Sequence, residues 1–136
     1  MTTLSEARLA IESHFDTAWA ARTQIAWDNV DYTPTVGTDY VRFHIEHGEG
    51  EQISIGSANR LFRRTGKVVA DVYVQENTGP TAATQHADAV MAIFEGLVVQ
   101  PAGVRFAKVS PGEVSNDESG WFTIHITADF RFDEIK

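Results

Sequence analysis

Between Trp121 and Phe132 hydrophobic and polar positions alternate without a break. Phe122, Ile124, Ile126, Ala128, Phe130 and Phe132 take the even positions, and Trp121, Thr123, His125, Thr127, Asp129 and Arg131 the odd ones. No helix fits a two-residue period, so this stretch predicts a strand with one buried face. Burying its large even residues contributes about 8 to 15 kcal/mol. Ordering the backbone from 122 to 132 costs about 11 to 22 kcal/mol. The strand therefore has to lie inside a sheet. The same period appears from Tyr40 to His47, where Val41, Phe43 and Ile45 alternate with Arg42, His44 and Glu46. Gly48-Glu49-Gly50 is expected to turn the chain, and Ile53 and Ile55 to resume the alternation as the second arm of an extended hairpin. Further strands are predicted from Lys67 to Gln75, with Val68, Val72 and Val74 in phase, and from Val104 to Val109. A short extended piece is expected at Gln24–Val30, followed by a Pro- and Gly-containing loop over 31–37. A polar loop is expected from Pro111 to Gly120.

Two segments have a helical period instead. Thr3 and Glu6 have the spacing of a capping box. Beyond them Leu4, Ala7, Ile11, Phe15, Ala18 and Trp19 fall on one stripe, with Leu9 opposite. A loop over 77–81 leads to a second helix with Ala83, Ala87, Val90, Met91, Phe94 and Leu97 on its stripe and Gly96 at its end. Ala82, Ala89 and Ile93 widen that stripe enough for a contact on the helix flank. The resulting expectation is an α+β fold: a mostly antiparallel, twisted sheet with two amphipathic helices packed on one face, plus an extended hairpin, in a single domain over residues 1–136.

Composition narrows the function. The chain has no cysteine, which removes disulfides, thiol nucleophiles and thiolate zinc sites. Eleven Lys and Arg against nineteen Asp and Glu give a net charge of −8, a balance unsuited to general binding of a phosphate backbone. No apolar run approaches the ~18 residues of a membrane helix. The N-terminal residues lack the pattern of a secretion signal, so maturation in a cytoplasm is expected. His44 and His47 stand three apart on a predicted strand and point to opposite faces, so they cannot chelate one ion. His125 sits on a wet face where a cross-strand contact is the ordinary role, and His14 and His86 flank the helix stripes singly. Asp28, Asp31 and Asp39 read as loop aspartates that make turns and caps. No phosphate loop, serine elbow or paired-acid motif occurs. The reading is therefore no enzyme, no cofactor and no metal. Arg60, Arg63 and Arg64 cluster at the mouth of a predicted strand, and in so acidic a chain they are expected to meet carboxylates of a neighbouring subunit.

The stretches Ile25-Ala26-Trp27-Asp28-Asn29 with Tyr32-Thr33-Pro34, Tyr40-Val41, and Ile55-Gly56-Ser57 leading to Arg63-Arg64-Thr65-Gly66 resemble the tail-terminator-like family of long-tailed bacteriophages. Thr78-Gly79-Pro80-Thr81 before an alanine-rich helix, Val104-Arg105-Phe106 and Gly120-Trp121-Phe122 extend the resemblance to nearly the full chain. It implies a virion protein, assembled in the host cytoplasm, that forms a ring, expected to be hexameric, on the head-proximal end of the tail tube. The ring would stop tube growth and dock the head. Implied partners are further copies of the chain, the major tail tube protein and the head-tail connector or head-closure protein. DNA would pass through without specific binding, and no membrane is involved. Arg60, Arg63, Arg64, Trp27, Asn29, Tyr40 and Ile93 are the expected subunit or partner contacts. Two alternatives stay open at this point: a head-closure or neck ring protein, and a small α+β ligand-binding domain or enzyme with a pocket between helices and sheet.

Overall fold

A computed structural model describes residues 2–35, 37–54, 56, 59–75, 79–116 and 120–135, without the side chains of 113–116. Expectations that touch Met1, Val36, Ile55, Ser57, Asn77, Thr78 and Ser119 lie outside the described residues. Helix α1 spans Leu4–Trp19, and strand β1 (Gln24–Ala26) and strand β2 (Tyr40–Gln52) follow. Strand β3 is Leu61–Gln75, helix α2 Thr81–Phe94, strand β4 Val98–Val99, strand β5 Val104–Asn116 and strand β6 Trp121–Ile135. The strands form one sheet in the order β1-β2-β3-β6-β5-β4. The β1–β2 pair is parallel and all the others are antiparallel. This is the α+β arrangement expected from the alternation and the two stripes.

The helices cover one face. Thr3 caps α1 by accepting a hydrogen bond from the Glu6 amide at 3.2 Å, and its hydroxyl donates to the Glu6 carboxylate, so the reciprocal bond of a full capping box is replaced by a side-chain contact. Ala7, Ile11, Phe15 and Trp19 are buried, whereas Leu4 (45% exposed) and Ala18 at the stripe's ends are not. Leu9 is exposed, as its phase requires. From α2, Ala83, Ala87, Val90 and Phe94 are buried. Ala82, Ala89, Met91 and Ile93 pack against the same core from its rim, so the widened stripe is used within the chain. Phe15 is the centre. Its ring stacks on Phe43 at 4.5 Å, Trp19 at 5.3 Å and Phe94 at 5.8 Å, which ties both helices to β2. Each such ring removed from water contributes roughly 1.5 to 3 kcal/mol.

Three expectations need correction. Gly48-Glu49-Gly50 does not turn the chain. The strand continues to Gln52 through a bulge between His47 and Gly50, and the connection to β3 falls after it. Glycines inside a strand mark bulges and close approaches as readily as turns, and here the approach decides. A Cβ on Gly66 would lie 2.6 Å from both the Glu46 carbonyl and the Phe130 ring, and one on Gly48 2.8 Å from Thr65 Oγ1. Next, β3 begins at Leu61 rather than Lys67, so Arg63 and Arg64 lie within a strand and not at its mouth. Pairing on both sides, with Gly50–Gln52 and with Phe132–Ile135, orders this stretch where its own composition is indifferent. Finally, β5 runs through Pro111-Gly112 to Asn116. β4 reaches only Val104 and Arg105, so at Pro111 the strand has β6 as its sole described neighbour. A residue without an N–H is tolerated on such a rim.

The sheet's other face is wet along most of its length and covered at one end. There Tyr40, Tyr73 and Trp121 cluster with Tyr32 from the segment after β1. Tyr40 and Tyr73 stack at 4.6 Å with an interplanar angle of 3°. Burial, reinforced by the Tyr73 hydroxyl, pushes the Tyr40 phenol above its ordinary range against a hydrogen bond from Arg42. Burial alone does the same to Tyr32.

Candidate interface surfaces

Away from the aromatic cap, the outer face is a lattice of cross-strand charge. Reading across β2, β3 and β6, one row is Arg42, Asp71 and His125, a second Glu46, Lys67 and Asp129, and a third Glu51, Arg63 and Asp133. Signs alternate along the second and third rows, the favourable arrangement for neighbours about 5 Å apart. Lys67 Nζ lies 3.3 Å from Glu46, and Arg63 makes a two-point contact with Asp133 at 3.0 and 3.2 Å. The guanidinium beside Asp133 holds its carboxyl below the usual range, and the same bond holds the Arg63 proton more firmly. Arg64 points to the helix side, where its Nε donates to Glu134 at 2.8 Å.

The expected contact residues are thus scattered. Arg63 and Arg64 already have carboxylate partners in their own chain. Arg60 is exposed, and its Nε donates to the Gly56 carbonyl. Asn29 is exposed in a left-handed conformation with φ of 54°. Trp27 is half-buried, edge-on to Phe43 and Phe15. Tyr40 is only 4% exposed, inside the aromatic cap, and Ile93 is half-buried against the core.

Histidine and aspartate partners are where distant segments meet. His44 and His47 do point apart: one approaches Glu46 at 3.7 Å, the other Arg8 of α1 at 3.4 Å. His125 makes the expected cross-strand contact, its Nδ1 2.5 Å from Asp71. His86 does not stand singly. Arg22 Nε donates to its Nδ1 at 3.0 Å, and its Nε2 lies 3.1 Å from Asp39, so α2 is clasped to the segments flanking β1. With both ring nitrogens engaged, His86 has neither a free base nor a free ligand atom, although it lines a groove of about 700 Å³ with Asp16, Trp27 and Asp39. Asp28, expected to serve a turn, instead accepts from Arg8 of α1 and from the Ile45 amide of β2. Apart from His44 and Glu46, these partners lie 17 to 64 residues apart, and no local spacing announces them. Among the described residues no group of three or more His, Asp or Glu side chains could hold a metal ion. No described helix is long and apolar enough to cross a membrane.

A family model for the phage tail terminator protein matches residues 6–130. The chain belongs to the phage tail terminator family. Membership makes it a phage tail structural protein and a component of the virion, whose work is contact with other tail and head proteins. The terminator fold itself recurs in a solved structure that is 24% identical over 95% of both chains, with a TM-score of 0.64. No curated protein matches the sequence.

Proposed function

We propose that the protein assembles as a ring, six copies in number, on the head-proximal end of the tail tube, where it ends tube polymerisation and offers the head connector a docking face. The observation that carries this reading is the family match across 6–130. The architecture supports it: several of the histidines, aspartates and arginines pair in structural contacts, and the outer face is a surface of charge suited to protein neighbours. Arg60 and Asn29 are the exposed members of the expected contact set. Six copies at −8 each bring about −48 to the ring, and acid along the bore would keep DNA from adhering to the wall.

Particles made without the protein test the role directly. Electron microscopy should show overlong tubes, or tails of normal length detached from heads. Intact virions with tails of native length would reject the proposal. Tight DNA binding by the isolated protein at physiological salt would remove the bore argument alone.

A further inference from the structure

Towards its two edges the sheet carries exposed charge of opposite sign. Arg105 of β5 stands directly opposite Arg131 of β6, with Lys108 on the same side of the sheet, and all three are exposed. None of them makes a salt bridge with a described carboxylate, whereas Arg8, Arg63, Arg64 and Lys67 all do. Lys108 is the cross-strand partner of Asp129 without bonding to it, and Asp133 beside Arg131 is engaged by Arg63. Like charges directly opposite each other destabilise a sheet. In a chain with nineteen acids and eleven bases, leaving two arginines face to face gives the isolated fold nothing. On the far side, Glu49 and Glu51 on β2 are exposed and make no salt bridge with a described base. Three strand spacings, about 14 Å, separate β2 from β5. That exceeds the ~8 Å over which exposed charges interact at physiological salt, so Glu49 and Glu51 cannot neutralise these bases within one copy.

We infer that Arg105, Lys108 and Arg131 form the basic half of a contact whose acidic half is Glu49 and Glu51 of a second copy of this chain. The ladders make β2 and β5 antiparallel, so a copy rotated about an axis along the strands sets its β2 rim against this β5 rim. Between two sheet edges, a two-fold would bring like rims together and put base against base, so a β2-to-β5 edge contact is head-to-tail, the kind that closes into rings. The inference rests on the ring proposed above and names the side chains that hold it.

The absence of native cysteine provides a clean test. Lys108→Cys and Glu51→Cys chains, made separately, mixed and mildly oxidised, should cross-link to each other while neither cross-links to itself. Arg105→Glu with Arg131→Glu should weaken self-association by about ten-fold or more in sedimentation, with circular dichroism unchanged. Adding Glu49→Arg and Glu51→Arg to the same chain should restore it. Wild-type association by the reversed-charge chain overturns the inference and leaves the ring standing. So does association that is unaltered while binding to the tail tube protein or DNA is lost, because the patch then serves another partner. A wild-type chain that stays single at all concentrations and on tube ends overturns ring and patch together.

Discussion

The sheet beneath the helices and the arm that projects beyond Gly48 and Gly66 are built by different physics. Under the helices, Phe15, Phe43 and Phe94 stack with almost no exposure, and contact follows from shape alone. In the arm, Arg63–Asp133 and Arg64–Glu134 bridge adjacent strands. The Thr65 hydroxyl donates to the Glu49 carbonyl at 2.8 Å, and Ser54 accepts from the Leu61 amide at 2.7 Å. The arm's outermost apolar row, Ile53, Leu61 and Ile135, stays partly exposed. A stacked core responds little to salt or acid, while exposed ion pairs respond to both. The chain thus joins a platform that holds its form to an extension whose order depends on its surroundings, and extensions of the second kind are the ones a neighbour can complete.

Breaking the platform should cost most. Phe94→Ala removes a ring in contact with Phe15 and Phe106, and urea unfolding should record a loss of about 3 to 5 kcal/mol. A loss below ~1 kcal/mol would mean the site collapses freely and the stack is no keystone. The junction comes next. Gly66→Ala drives a methyl group into the Glu46 carbonyl and the Phe130 ring, so about 1 to 3 kcal/mol should be lost, with faster amide exchange in the arm than in the platform. Uniform exchange along β3 would dissolve the distinction between the two regions. The smallest effect belongs to Asp133→Asn. The pair is about one-third exposed, so global stability should change by about 1 kcal/mol or less while arm amides exchange faster. Because the folded-state value of Asp133 is depressed, its contribution is present above the ordinary carboxylate range and disappears as pH falls through the lowered value. Arm protection in the wild type should therefore fall on acidification below the ordinary range, and Asp133→Asn should abolish that dependence. An arm equally protected in acid would show that backbone pairing, not the ion pair, holds it.

What could be read from the residues followed from how local each signal is. The alternation from Ile124 to Phe132 and the stripe through Ala7, Ile11 and Phe15 are written in neighbouring positions, and both appear in the fold as expected. At the start of β6, by contrast, the aromatic cap buries Trp121 and Thr123 on the expected polar face, and Phe122 is only half-buried. Gly48-Glu49-Gly50 was ambiguous because the same residues serve a turn and a bulge, and only the partner strand decides between them. Pro111-Gly112 misled for a related reason, since proline opposes a central strand but not a rim. Among the surface residues, basic character at Arg63 and Arg64 was visible, yet their neutralisation by Asp133 and Glu134, 70 positions away, was not. The pairing of Arg105 with Arg131 was equally hidden, because register through a bulged strand belongs to tertiary structure.

Pro111 has a last consequence. Copies of one chain at high concentration meet one another edge to edge. Exposed backbone along a sheet's border is how such crowds knit into fibres. By withholding one hydrogen from that border, the imino ring makes the seam discontinuous, and encounters through the main chain come apart before they can propagate.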